Sequence, residues 1–178
     1  MKIVNAITVS RDVYYMEKAL FKVHWRYGLM WYLGTFTGLR ISDLLKLRPY
    51  DIAELLWVEE QKTKKIRCIY LPLALLADIE EYIQHYRLAP LEYLFFSSGS
   101  RRNKPISRQW AHRIIARTAR YNGLHSVGAH SMRKIYACDL YRSTGHLESV
   151  QRALGHKNIS TTFLYIREIL ERRWGDMA

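Results

Sequence analysis

The sequence predicts an α+β domain that is mostly α-helical, with a small antiparallel β-sheet. Apolar residues recur at three- and four-residue intervals through most of the chain, while apolar–polar alternation is confined to one stretch, Leu55 to Leu71. Across 178 residues there is no internal repeat, low-complexity tract or Gly/Ser linker, so one compact unit spanning 1–178 is expected. At 49% hydrophobic and 25% charged, the composition excludes a disordered tail or a collagen-like repeat and is enough to build a core without staples.

Ser10 is placed to cap a first helix whose stripe is Val13, Met16, Leu20 and Val23. A second, more apolar helix runs from about Arg26 to Phe36 and is interrupted at Thr37-Gly38. A third carries Arg40 to Leu47 and stops at Pro49. In the alternating stretch Leu56 and Val58 mark one strand, Thr63-Lys64-Lys65 the turn, and Ile66 to Leu71 the other, giving a β-hairpin. After Pro72, Leu75, Ile79, Tyr82, Ile83 and Tyr86 fall on one helical face, with Pro90 as the stop. The apolar run Leu94-Phe95-Phe96 precedes a polar loop from Ser97 to Pro105. Four helices follow: Ser107–Tyr121, about Ser131–Ser143, Leu147–Leu154 with Gly155 just past its end, and Thr161–Arg173.

The charge narrows the function. Lys plus Arg number 28 against 16 Asp plus Glu, for a net charge of +12. From Tyr93 to Cys138 there are nine basic residues and no acidic one: Arg101, Arg102, Lys104, Arg108, Arg113, Arg117, Arg120, Arg133 and Lys134. Arg113, Arg117 and Arg120 share one helical face, with Trp110, Ile114 and Ile115 on another. A basic face alone is often only a solvated one, but so long a stretch without acids favours polyanion binding, and nucleic acid is the first suspect. A membrane partner is not expected, since Leu29–Phe36 is far shorter than the roughly 20 residues of a span. The start, Met1-Lys2-Ile3-Val4-Asn5, lacks an apolar signal core, so a cytoplasmic setting is expected. Neither metal nor cofactor is expected: the seven histidines form no HExxH, and no acidic cluster flanks His130 or His156. Cys68 and Cys138 read as core thiols of a reducing compartment.

Five polar positions stand out. Arg40 lies within Thr37-Gly38-Leu39-Arg40-Ile41-Ser42-Asp43-Leu44. His130 and Arg133 are helical neighbours, His156 follows Leu154-Gly155, and Tyr165 comes nine residues later. Singly, each has a plain explanation: an Arg40–Asp43 surface pair, a His130 helix cap, a Tyr165 core aromatic.

Together and in this order, TGLRISDLLKL, QKTKKIRCIYLP, HSMRK and ALGHKNISTTFLYI resemble the catalytic domain of the tyrosine recombinase (phage integrase) family, from about Ser10 to Ile166. The resemblance implies an enzyme that breaks and rejoins double-stranded DNA through a covalent 3′-phosphotyrosine, for integration, excision or inversion. By the match, Arg40 is the first arginine and Lys62 the hairpin lysine; His130 and Arg133 are the histidine-x-x-arginine pair. His156 fills the next position and Tyr165 that of the nucleophile, while Asp43 falls where the family has an acidic residue steadying the first arginine. Lys64 and Lys65 lie close enough to Lys62 to be alternatives. Otherwise they and Arg67 are phosphate contacts, as are the basic residues from Arg101 to Arg120.

These residue types suit the chemistry. Guanidinium forks donate in parallel to the oxygens of a phosphate under attack. A phenol, with an ordinary pKa of about 10, needs a base, for which His130 is the candidate. Lys62 would protonate the leaving 5′ oxygen, and His156 would hydrogen-bond the phosphate. Arg40 comes too early for the separate amino-terminal DNA-clamping domain of most members, so the expected counterpart is a small single-domain member such as the fimbrial invertases, or else a catalytic fragment. The family precedent implies a tetramer on DNA, with accessory DNA-bending proteins as further partners. Ile169, Leu170 and Trp174 would anchor the tail on a neighbour or on its own domain. The competing readings are a DNA-binding regulator that kept the fold without catalysis and a topoisomerase-like nicking-closing enzyme.

Overall fold

The computed structural model describes residues 10–99 and 102–175, with side chains from 11 to 167 apart from 100 and 101. Among these residues, eight α-helices and one hairpin follow in the order α1 (Ser10–Val23), α2 (Trp25–Thr37), α3 (Ile41–Leu44), β1 (Leu55–Glu59), β2 (Ile66–Tyr70), α4 (Leu73–Tyr86), α5 (Arg108–Tyr121), α6 (Ala129–Thr144), α7 (Leu147–Leu154) and α8 (Ile159–Gly175), with a short 3-10 turn at Pro49–Asp51. The strands pair antiparallel with Trp57 opposite Cys68. No described helix is long and apolar enough to cross a membrane.

Helix α2 is the axis of the domain: Leu29, Met30, Trp31, Leu33 and Gly34 are all buried, so it is enclosed on most of its circumference. Around it pack Met16 and Leu20 of α1, Leu75, Ile79 and Tyr82 of α4, Ile115 of α5, and Met132 and Ile135 of α6. The run Leu94-Phe95-Phe96 is buried as well; Tyr82 donates its hydroxyl to the Leu94 carbonyl at 2.7 Å, and Arg26 donates to that of Phe96 at 2.5 Å. A separate small cluster joins Ala137 of α6, Val150 and Leu154 of α7, and Ile166 of α8.

Several expectations shift by a turn. Val23 is 52% exposed and leaves the α1 stripe, because His24 breaks the chain there and caps α2, its Nδ1 accepting from the Arg26 amide at 3.2 Å. The helix expected to carry Arg40 to Leu47 is a single turn, Ile41–Leu44, with Arg40 in extended conformation as its N-cap. Helix α4 stops at Tyr86, where Arg87 turns left-handed, before Pro90 acts. Cys138 is buried, but Cys68 is exposed on the outer face of the hairpin and is not a core thiol.

Candidate active site

The left-handed cap Gly38 ends α2 with φ of 62°, and a Cβ there would lie 2.3 Å from the Tyr136 ring. The turn throws Leu39 into the core and sets Arg40 at the mouth of a cleft of about 680 Å³. The same cleft is lined by Lys62, His130, Arg133, His156 and Tyr165, so one concavity gathers all six residues singled out for chemistry. Arg108, expected only as part of the basic stretch, lines it too, as do Gln61 and Thr161.

Arg133 is nearly enclosed, at 2% exposure. Its guanidinium donates from Nη1 to the carbonyl of Gly38 at 2.5 Å and from Nη2 to the carbonyl of Leu154. Those carbonyls terminate α2 and α7, so the negative ends of two helix dipoles converge on one cation. Gly155, with φ of 62°, makes the turn that ends α7 there. Burial lowers the Arg133 pKa to about 10, with the charges of Arg40 and Arg67 adding to the effect. It remains a cation at neutral pH.

Tyr165 projects from α8 between the two imidazoles. Its hydroxyl is hydrogen-bonded to His130 Nε2, and its ring meets that of His156 edge-on, with centroids 5.0 Å apart. Burial raises the phenol above its ordinary value, and Arg133 and Arg40 pull it partly back. His130 is held below the usual imidazole range, first by burial and then by Arg133, Lys134 and Arg40. His156 is pushed down to about 4 by burial, Arg133 and Arg40. Its Nδ1 lies 3.0 Å from the Thr162 hydroxyl, which leaves Nε2 as the ring's open nitrogen. A neutral imidazole bonded to a phenol beside two arginines is the arrangement that general-base activation of a tyrosine nucleophile requires.

The carboxylate that faces this cluster is Glu60, fully buried and 2.5 Å from Arg40 Nη1. Asp43, expected to steady Arg40, instead accepts from the Gln61 amide at 3.2 Å and the Ser42 hydroxyl at 3.3 Å. Its place on the inner side of the one-turn α3 directs it to the hairpin. Arg67 is likewise drawn inward: its side chain is 12% exposed, pairs with Glu60, donates to the Thr37 carbonyl at 3.0 Å and does not line the cleft. Alternation along β1 carries the signal for Glu60, which continues the inward positions of Leu56 and Val58.

Lys62 and Lys65 are exposed on the hairpin turn, and Lys64, with φ of 56°, reaches Glu59 at 3.6 Å. Arg113, Arg117 and Arg120 are exposed along one side of α5, Arg113 over the Trp110 ring and Arg117 over Tyr121. Arg102 is tied to its own fold, to the Arg87 carbonyl at 3.1 Å and Glu92 at 3.7 Å. Lys104 is exposed, whereas Arg101 and the side chains of Ile169, Leu170 and Trp174 lie outside the described residues.

The model of the phage integrase family matches residues 11–171. The chain is similar to the probable integrase/recombinase YoeC of Bacillus subtilis, 35% identical over 168 residues that cover 93% of this chain and 91% of YoeC. It is 32% identical over 134 residues to the tyrosine recombinase XerA of Pyrococcus furiosus, covering 74% of this chain but 46% of XerA. Among solved structures it resembles the XerH site-specific recombinase bound to its palindromic difH substrate, with a TM-score of 0.79 at 22% identity over 99% of this chain and 53% of XerH.

Proposed function

This chain belongs to the phage integrase family of tyrosine recombinases, and on that footing we propose that it is a site-specific DNA recombinase that cleaves and rejoins duplex DNA through a 3′-phosphotyrosine. The observation that carries the proposal is the Tyr165 hydroxyl on His130 Nε2, in a cleft where Arg40 and Arg133 are fixed in place. His130 takes the phenolic proton as the oxygen of Tyr165 bonds to phosphorus. The bond from phosphorus to the 5′ oxygen breaks, and Lys62 protonates that oxygen as it leaves. Arg40, Arg133 and His156 donate to the non-bridging oxygens, where charge builds. A 5′ hydroxyl then attacks the phosphotyrosine in the reverse sense and releases Tyr165. The three exposed arginines of α5, with Lys64, Lys65 and Lys104, hold the backbone of the duplex. Strand exchange needs two duplexes cut at both strands, which fits an assembly of four protomers on DNA in the cytoplasm.

The test is covalent-adduct trapping in EDTA on supercoiled plasmid carrying the DNA that flanks this protein's own gene, with Tyr165→Phe alongside. Wild type should give a detergent-resistant adduct, whereas Tyr165→Phe should give none while binding duplex normally. Equal adduct from both would remove Tyr165 from the nucleophile's position.

A further inference from the structure

Glu60 takes no part in the steps above, yet its side chain is 0% exposed and meets three cations. Arg40 Nη1 lies 2.5 Å from Oε2, while Arg67 Nη1 and Arg133 Nη1 lie 3.7 and 3.9 Å from Oε1. A buried carboxylate is unfavourable unless it is paired, and this one holds together guanidiniums that would otherwise repel each other. Glu60 also closes the hairpin turn. Its amide donates to the Lys65 carbonyl at 3.0 Å, its carbonyl accepts from the Lys64 amide at 2.8 Å, and Thr63 donates its hydroxyl to Oε2 at 2.6 Å. The turn so closed carries Lys62.

We infer that Glu60 is a positioning residue that locks Arg40, Arg133 and the Lys62 turn into one unit, through ion pairs on one side and the Thr63 hydroxyl on the other. It acts through these groups and does not touch the phosphate. Three guanidiniums against one carboxylate leave the cluster with a surplus of two positive charges for an incoming phosphodiester. The inference rests on the recombinase reading. It adds that removing the Glu60 charge separates binding from chemistry: the site becomes more positive, so it attracts DNA more strongly, while its donors lose their alignment.

The experiment compares Glu60→Gln, Glu60→Asp and Thr63→Ala with wild type in thermal melting, affinity for a mixed-sequence duplex, and adduct formation on the plasmid used above. Glu60→Gln should form adduct about 100-fold more slowly, as when a preorganised donor is lost. It should bind duplex about two- to fivefold more tightly, because a cluster one charge more positive attracts phosphate more strongly. Glu60→Asp should return affinity to the wild-type value and recover part of the rate. Thr63→Ala keeps the charge and should slow adduct formation about tenfold with affinity unchanged; it carries the test if Glu60→Gln fails to fold. A wild-type rate in Glu60→Gln, or binding and rate lost in parallel by a folded variant, overturns the inference. Absence of adduct from wild type would sink the recombinase reading, and the affinity arm would then decide the inference, since equal affinity of wild type and the Glu60→Gln variant for duplex would overturn it.

Discussion

His130 and His156 are kept uncharged at neutral pH, first by burial and then by the guanidiniums they face. Their protonation defines how acid acts on the site. His130 accepts a proton from Tyr165 only while neutral, and its pKa lies below the ordinary 6.5, so the midpoint of the acid limb of adduct formation should lie below pH 6.5. A rate profile from pH 5 to 8 checks this, and a midpoint at or above 6.5 contradicts it. Stability follows in the same direction. The unfolded chain protonates these imidazoles first, so stability erodes as pH falls below 6.5; below 4.5 the lowered pKa of Glu60 adds a further loss, as its ion pairs are progressively broken. At this scale the sequence was a good guide to which residues share the cleft, because their order along the chain is itself a signature. It was a poor guide to their counter-ion. Asp43 was the nearer carboxylate in sequence, but pairing with Arg40 is decided by how α3 and the hairpin pack.

Among elements, the turn at Gly38 carries the most. It ends α2, aims Arg40 into the cleft and offers its carbonyl to Arg133. Gly38→Ala forces a side chain into the left-handed region and against Tyr136, and should destabilise the domain by about 2–4 kcal/mol. Urea unfolding measures this, and a loss under about 0.5 kcal/mol, the size of a neutral surface change, would refute the steric account. The long helices were legible because each shows a 3.6-residue stripe or a clear cap, as Ser107 does for α5 by accepting from the Trp110 amide at 3.0 Å. The region from Arg40 to Leu47 was not, because Leu44, Leu45 and Leu47 are all buried at spacings that suit a helix and a compact turn equally well.

At the scale of the whole molecule, the basic face of α5 adjoins the cleft. Arg113, Arg117 and Arg120 stand exposed on α5, whose first residue, Arg108, lines the cleft, so the basic stretch leads into the candidate site. If each arginine neutralises one phosphate, the triple Arg→Ala variant should lower the slope of log affinity against log salt by about 2.7. A salt titration on duplex DNA reads that slope, and no change would move the DNA path off α5. The hydrophobic interior of the described residues is divided. The large cluster is built around α2 and includes Leu39, next to Arg40, whereas Tyr165 packs on the small one formed by Ala137, Val150, Leu154 and Ile166. Local opening is easiest where few apolar contacts oppose it. Among the described residues, the candidate nucleophile thus rests on a minor latch, and opening there would carry it from the arginines while the scaffold around α2 stays shut.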